Sequence, residues 1–243
     1  MKNYYVTIVM LILFAGCKKA EPLNPKLTTV NVVNAVIDIG AVKVNYFGKD
    51  IAWKNYTSGT ALVNFGSMQV YSVLPGNKIQ IVPALDTVKT LFNSVVSEVD
   101  KDIYSVFLTG TISAPENIVK KENLPAVYSD MCIGVRLINL SPESNPLNLT
   151  LSSNPMINEF TSVGYKQITD FKKLPFPAFL VSGSNVFQVR DASGILLASY
   201  TLPTTGILSV ASARYRNITL VVKGLQGTIS GANALSIFCV GNF

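Results

Sequence analysis

The chain has 243 residues and no histidine. That absence excludes Ser-His-Asp and Cys-His nucleophiles, a histidine general base and any histidine-containing zinc site. Charge is scarce too. Asp, Glu, Lys and Arg make up 14% of the residues against the usual quarter, while 49% are apolar. With a mean hydropathy of +0.36, this composition excludes disorder as the prevailing state. No apolar run approaches the about 20 residues of a membrane-spanning helix; the most apolar stretch, Tyr4 to Phe14, has eleven. Neither Gly-x-Gly-x-x-Gly nor Gly-Lys-Ser/Thr occurs, so the chain lacks these phosphate-cradling loops and no cofactor is expected. Basic residues outnumber acidic ones by 20 to 14. They are dispersed and lack interleaved aromatics, which argues against a nucleic-acid partner.

What is present begins with an address. In MKNYYVTIVMLILFAGC, Lys2 precedes the eleven-residue apolar run and the small residues Ala15-Gly16 follow it, as in a secretory signal. Ala15, Gly16 and Cys17 resemble the lipobox of bacterial lipoproteins, with Phe14 where leucine is usual. The resemblance implies cleavage before Cys17, a diacylglycerol thioether on its sulfur and an acylated new N-terminus. One chain binds a membrane marginally, at about 0.8 kcal/mol per buried methylene, but three hold firmly. Residues 1–16 are thus expected to be a signal peptide and 17–27 a lipidated tether. Outer-membrane attachment is expected; Lys18-Lys19-Ala20-Glu21 leaves the periplasmic and outward faces both open.

Beyond the tether the chain alternates with period two. Val42-Lys43-Val44-Asn45-Tyr46, Lys78-Ile79-Gln80-Ile81, Tyr104-Ser105-Val106-Phe107-Leu108, Leu147-Asn148-Leu149-Thr150-Leu151 and Phe187-Gln188-Val189-Arg190 read as half-buried strands. Pro75-Gly76-Asn77, Ser182-Gly183-Ser184-Asn185 and Asp191-Ala192-Ser193-Gly194 punctuate them, which argues for antiparallel sandwiches. The strands also repeat. Val30 to Asn34 matches Val135 to Asn139 at an offset of 105, as Val42 to Tyr46 matches Leu147 to Leu151. Tyr104 to Gly110 matches Ile218 to Gly224 at 114. A duplicated unit follows, over 28–112 and 132–243. Residues 113–131, with two prolines and five charges, read as the linker. Apart from Gly-Thr-Ile-Ser, which occurs at both 110–113 and 227–230, the tail from Gly227 has no counterpart in the first copy, and Ala234 to Val240 reads as a closing edge strand.

The pattern resembles the family catalogued as domain of unknown function 4397, found in tandem on lipoproteins of diderm bacteria. The likeness rests on VNVVNA at 30–35, VRLINLSP at 135–142, the alternating strand after each, Pro75-Gly76, and the Tyr-x-Val-Phe-Leu-x-Gly strand at 104–110. Ser182-Gly183 replaces the Pro-Gly turn in the second copy. The resemblance implies an immunoglobulin-like β-sandwich per copy and no established activity. The expected fold is therefore all-β: two tandem immunoglobulin-like antiparallel sandwiches behind a lipoprotein signal.

Candidate sites are few. Glu98, Asp100 and Asp102 share one face of an extended chain, but calcium takes six or more oxygens and no Asp-rich loop accompanies them. No metal is expected, and a carboxylate-dependent hydrolase centred there ranks last among the functions. Cys132 and Cys239 are a candidate disulfide on even count and compartment, with two buried free thiols as the alternative. Trp53 and Tyr56, in the loop AWKNYTSG, are candidate ligand-contacting aromatics. Asp86-Thr87-Val88 resembles the O-glycosylation site of some envelope proteins, with Thr87 as acceptor. A membrane β-barrel competes for the whole chain, but Pro75, Pro83 and irregular turn spacing argue against it. The expected function is a non-catalytic envelope lipoprotein that binds a glycan or protein ligand or mediates adhesion. A structural or assembly subunit of an envelope complex is the alternative.

Overall fold

A computed structural model describes residues 27–53, 62–97, 101–175 and 185–242. In the first copy, β1 (Thr28–Asn34), β4 (Ser67–Val73), β7 (Ile103–Gly110) and β8 (Pro115–Lys121) form a sheet in the order β4-β1-β7-β8. Its companion, in the order β3-β2-β5-β6, holds β2 (Ala41–Asn45), β3 (Leu62–Asn64), β5 (Lys78–Pro83) and β6 (Phe92–Val95). The second copy repeats both. One sheet runs β12-β9-β15-β16, from β9 (Cys132–Asn139), β12 (Lys172–Pro175), β15 (Asn217–Lys223) and β16 (Ser236–Asn242). The other runs β11-β10-β13-β14, from β10 (Leu147–Leu151), β11 (Asn154–Val163), β13 (Val186–Arg190) and β14 (Leu196–Thr201). The fold is all-β with two sandwich-like units.

Strand register reproduces the sequence offsets. Thr29 pairs with Ile103 and Gly134 with Asn217, so the offset of 105 on the first strand and 114 on the seventh describe one alignment. Two expectations change. Both β1–β7 and β9–β15 are parallel, so each of these sheets is mixed and not purely antiparallel. The chain reaches β7 from β1 only after crossing through the companion sheet, which is the long connection parallel pairing requires. Moreover, Pro115–Lys121 of the expected linker is strand β8, paired with β7 as β16 pairs with β15. The connection narrows to 122–131, and the tail's counterpart in the first copy is β8. Gly110 and Gly224 open these two equivalent hairpins at φ +78 and +87. An added Cβ there would collide with the carbonyl oxygen of Ala114 or Ala234, so both turns need glycine.

The retained asparagines do the same work in each copy. Asn34 donates through Nδ2 to the Val63 carbonyl (3.0 Å) and accepts from the Val36 amide (3.2 Å). Asn139 donates to the Val163 carbonyl (3.1 Å) and accepts from the Ser141 amide (3.0 Å). Each is fully buried, turns the chain after its strand and ties one sheet to the other. Asn34→Ala and Asn139→Ala are each expected to cost about 1–3 kcal/mol, because buried main-chain groups lose their partners. Urea unfolding checks this; a change within 0.5 kcal/mol of zero, as at an ordinary surface site, would refute the role.

Three apolar clusters order the layers. Val30, Val32, Val42, Val44, Ile79, Ile81, Val106 and Leu108 are among those filling the first sandwich, and Val135, Leu137, Leu147, Leu149, Phe187, Val189, Leu220 and Val222 lie in the second. The third cluster joins Val33, Ala35 and Phe107 of the first copy to Ile138, Leu140, Val221 and Val240 of the second. The β1 and β9 sheets therefore pack face to face, giving four stacked sheets. This is why β9 is buried at every position, and why Ser105 to Leu108, in a run expected to be half-buried, has both faces covered.

Like meets like across this seam. Val33 and Ile138, Ala35 and Leu140, Phe107 and Val221, and Ile118 and Phe238 are equivalent pairs under the strand alignment, and all contribute to the third cluster. Thr109 of β7 lies 3.3 Å from the Tyr165 hydroxyl, while its counterpart Lys223 of β15 lies 3.9 Å above the Phe65 ring. The two copies thus pack about an approximate twofold axis, as an isologous dimer made in one chain.

Candidate functional site

The seam has two edges, and the sequence treats them differently. At one, Arg136 of β9 meets Glu122, just beyond β8, through two bonds of 2.7 Å, both groups being buried. Its Nε donates to Thr219 (2.7 Å) and its guanidinium lies 4.6 Å from the centre of the Phe171 ring. Equivalent positions at the opposite edge hold Asn31, Asn242 and Val70, each a shorter side chain. There the seam stays open as a groove of about 440 Å³, with walls from Met68 and Val70 of β4 and Phe238 and Val240 of β16.

A third wall belongs to the second copy alone. Register equates Ser94 with Tyr200, an offset of 106, yet β7 and β15 stand at 114. The second copy therefore carries eight extra residues between β14 and β15. This stretch includes helix α1 (Val210–Ala213), capped by Ser209, and places Ile207 and Leu208 along the groove. Ile207 is 82% exposed and Val70 48%, so the walls present apolar side chains to solvent. By contrast, a polar hollow beside Asn45, Lys49, Lys78 and Asn93 is only about 60 Å³, room for a water or two.

Electrostatics reinforce the seam. Burial pushes the Tyr165 hydroxyl up to about 12, and it donates to Glu116 across the seam (3.0 Å). The Lys166 ammonium on Glu116 holds that carboxyl below its ordinary value. Burial lowers Lys223, which rests on Phe65.

The sequence-predicted sites are not brought together. Cys17, Tyr56, Glu98 and Asp100 lie outside the described residues. Asp102 is paired with Lys121 at 2.7 Å and does not line the groove. Among the described residues no cluster of three His, Cys, Asp or Glu side chains has metal-binding geometry. Trp53 is half-buried, not a fully presented platform. Thr87 lies in the β5–β6 connection between the exposed Leu85 and Val88. No helix among the described residues is long and apolar enough to cross a membrane.

The candidate disulfide is corrected: Cys132 and Cys239 are free and buried. Cys239 stands opposite Leu220, and Leu220 opposite Leu137, five residues along β9 from Cys132. At about 3.3 Å per residue that is roughly 16 Å along the strand, beyond the about 7 Å reach of a bridge. Burial pushes the Cys239 thiol up to about 12 and raises that of Cys132, so both are poor nucleophiles.

No protein-family model matches this chain, and no curated protein matches it. The groove supplies the functional argument. Sequence reasoning missed it because its walls come from residues 66–70, 207–208 and 238–241. The one available signal was the change of offset between the repeats, which marks the inserted wall.

Proposed function

We propose that the protein is a non-catalytic envelope lipoprotein, a binding or adhesion module whose ligand is a protein. In this reading Cys17 carries the lipid, residues 17–27 form the tether, and two immunoglobulin-like sandwiches of the domain of unknown function 4397 kind stand on the outer membrane. The observation that carries it is the open apolar groove at one edge of the seam. Exposed apolar walls of this kind mark contact with another macromolecule. The groove also speaks for the assembly-subunit reading, since Phe238 and Val240 of β16 line it and Ile229, nearby in the sequence, is 98% exposed. A glycan platform draws less support, with Trp53 half-buried.

Anchoring is tested by cell fractionation. The wild-type chain is expected to sediment with membranes and resist carbonate, and Cys17→Ala to become soluble. Continued integration of that variant would replace the lipoprotein with a membrane-embedded barrel.

A further inference from the structure

We propose that the groove receives an extended apolar segment of a partner polypeptide, which adds as a strand to the free edge of β4. This rests on the binding-module reading and names the ligand class.

The edge strands carry the argument. An unpaired edge invites a foreign strand, and proteins block it with shortness, proline, charge or bulges. In this chain β6 and β12 have four residues each, and β12 also carries Lys172, Lys173 and Pro175. Strand β8 begins with Pro115 and ends with Lys120 and Lys121. Strand β11 pairs with β10 through three register shifts, and β14 with β13 through one. Two edges show none of these devices. Strands β4 (SMQVYSV) and β16 (SIFCVGN) have seven residues each, without charge or proline, and among the described residues each pairs in unbroken register on one side only. These two strands are the walls of the groove.

The free edges also select the kind of ligand. An acyl chain would cover Val70, Ile207 and Phe238 but make no use of the edge of β4, whereas an added strand pairs with it. At the twofold-related edge the corresponding space is already filled from within the chain, by Phe171, Arg136 and Glu122. There the molecule closes its own seam; here the inserted Ile207 and Leu208 border an opening. The fitting segment has about five to seven residues, or roughly 17–23 Å of strand, with apolar side chains at alternate positions.

The test uses the full chain in lipid nanodiscs and random dodecapeptides displayed on phage. Selected peptides are expected to alternate apolar and polar residues. Made synthetically, they should slow amide exchange in Met68 to Val70 at least tenfold. Val70→Lys and Ile207→Asp change exposed side chains, so the fold should survive, and each should weaken binding at least tenfold. Methylating peptide amides on the edge facing β4 should abolish binding, and methylating the opposite edge should not. Failure to select peptides, binding unchanged in both variants, or no amide slowing in β4 overturns the proposal. Uptake of cis-parinaric acid that Ile207→Asp removes and the peptides do not compete with would make the groove an acyl-chain site instead. These outcomes are independent of Cys17→Ala fractionation. Loss of the strand site with anchoring intact leaves the lipoprotein standing, and the reverse result leaves the groove.

Discussion

Glu122→Ala is expected to destabilise the protein by about 3–5 kcal/mol, the usual effect of removing one partner from a buried ion pair. The Arg136 guanidinium, on a side chain 2% exposed, would keep Thr219 and the Phe171 ring but lose both charged bonds. Arg136→Ala should cost a similar amount, now through the stranded Glu122 carboxylate. The double variant Arg136→Met with Glu122→Leu should recover most of that loss, since apolar replacements remove the desolvation cost along with the attraction. Urea midpoints for the wild type, Arg136→Met, Glu122→Leu and the double variant form a cycle. Additive losses, with the double variant as unstable as the sum of the singles, would show that the pair is not coupled. The location gives the pair its consequence: Glu122 follows the last strand of the first copy and Arg136 lies on the first strand of the second, so the pair closes the seam at the same edge as the bond from Tyr165 to Glu116.

The repeat was legible because strands forced to pair in one register preserve spacing. The offsets of 105 and 114 come straight from VNVVN, VRLIN and the two late strands, and the pairing of Thr29 with Ile103 and Gly134 with Asn217 obeys both. Asn34 and Asn139 were legible for a related reason, since a buried amide with fixed partners tolerates little change. The β8–β16 equivalence was hidden. PENIVKK and LSIFCVG occupy the same place but face different surroundings: lysines guard one edge while apolar residues border the groove at the other. Proline and charge therefore read as a linker where they mark a protected edge strand, and Glu122 among them is buried. Period two likewise showed that Val106 and Leu108 face a core, yet it could not show that Phe107 faces a second one. The cysteine count is blind to register, which is what separates Cys132 from Cys239.

Placing a charge in the seam should unfold both copies together. Val221→Asp puts a carboxylate among Phe107, Ile138 and Val240 and should cost upwards of about 4 kcal/mol. The chain's only tryptophan, Trp53, belongs to the first copy, while Val221 belongs to the second. Trp53 fluorescence therefore reports on one unit and far-UV circular dichroism on both. If the seam makes the four sheets a single cooperative body, the two probes trace one urea transition in the wild type and shift together in Val221→Asp. The milder Ile138→Ala, at about 2–5 kcal/mol, should do the same if the charged variant is too unstable to isolate. A Trp53 transition left in place while the dichroism transition splits would mean that the copies fold independently. Coupled unfolding would have a functional corollary: the groove walls, which come from both copies, would be held by the same packing that keeps the copies together.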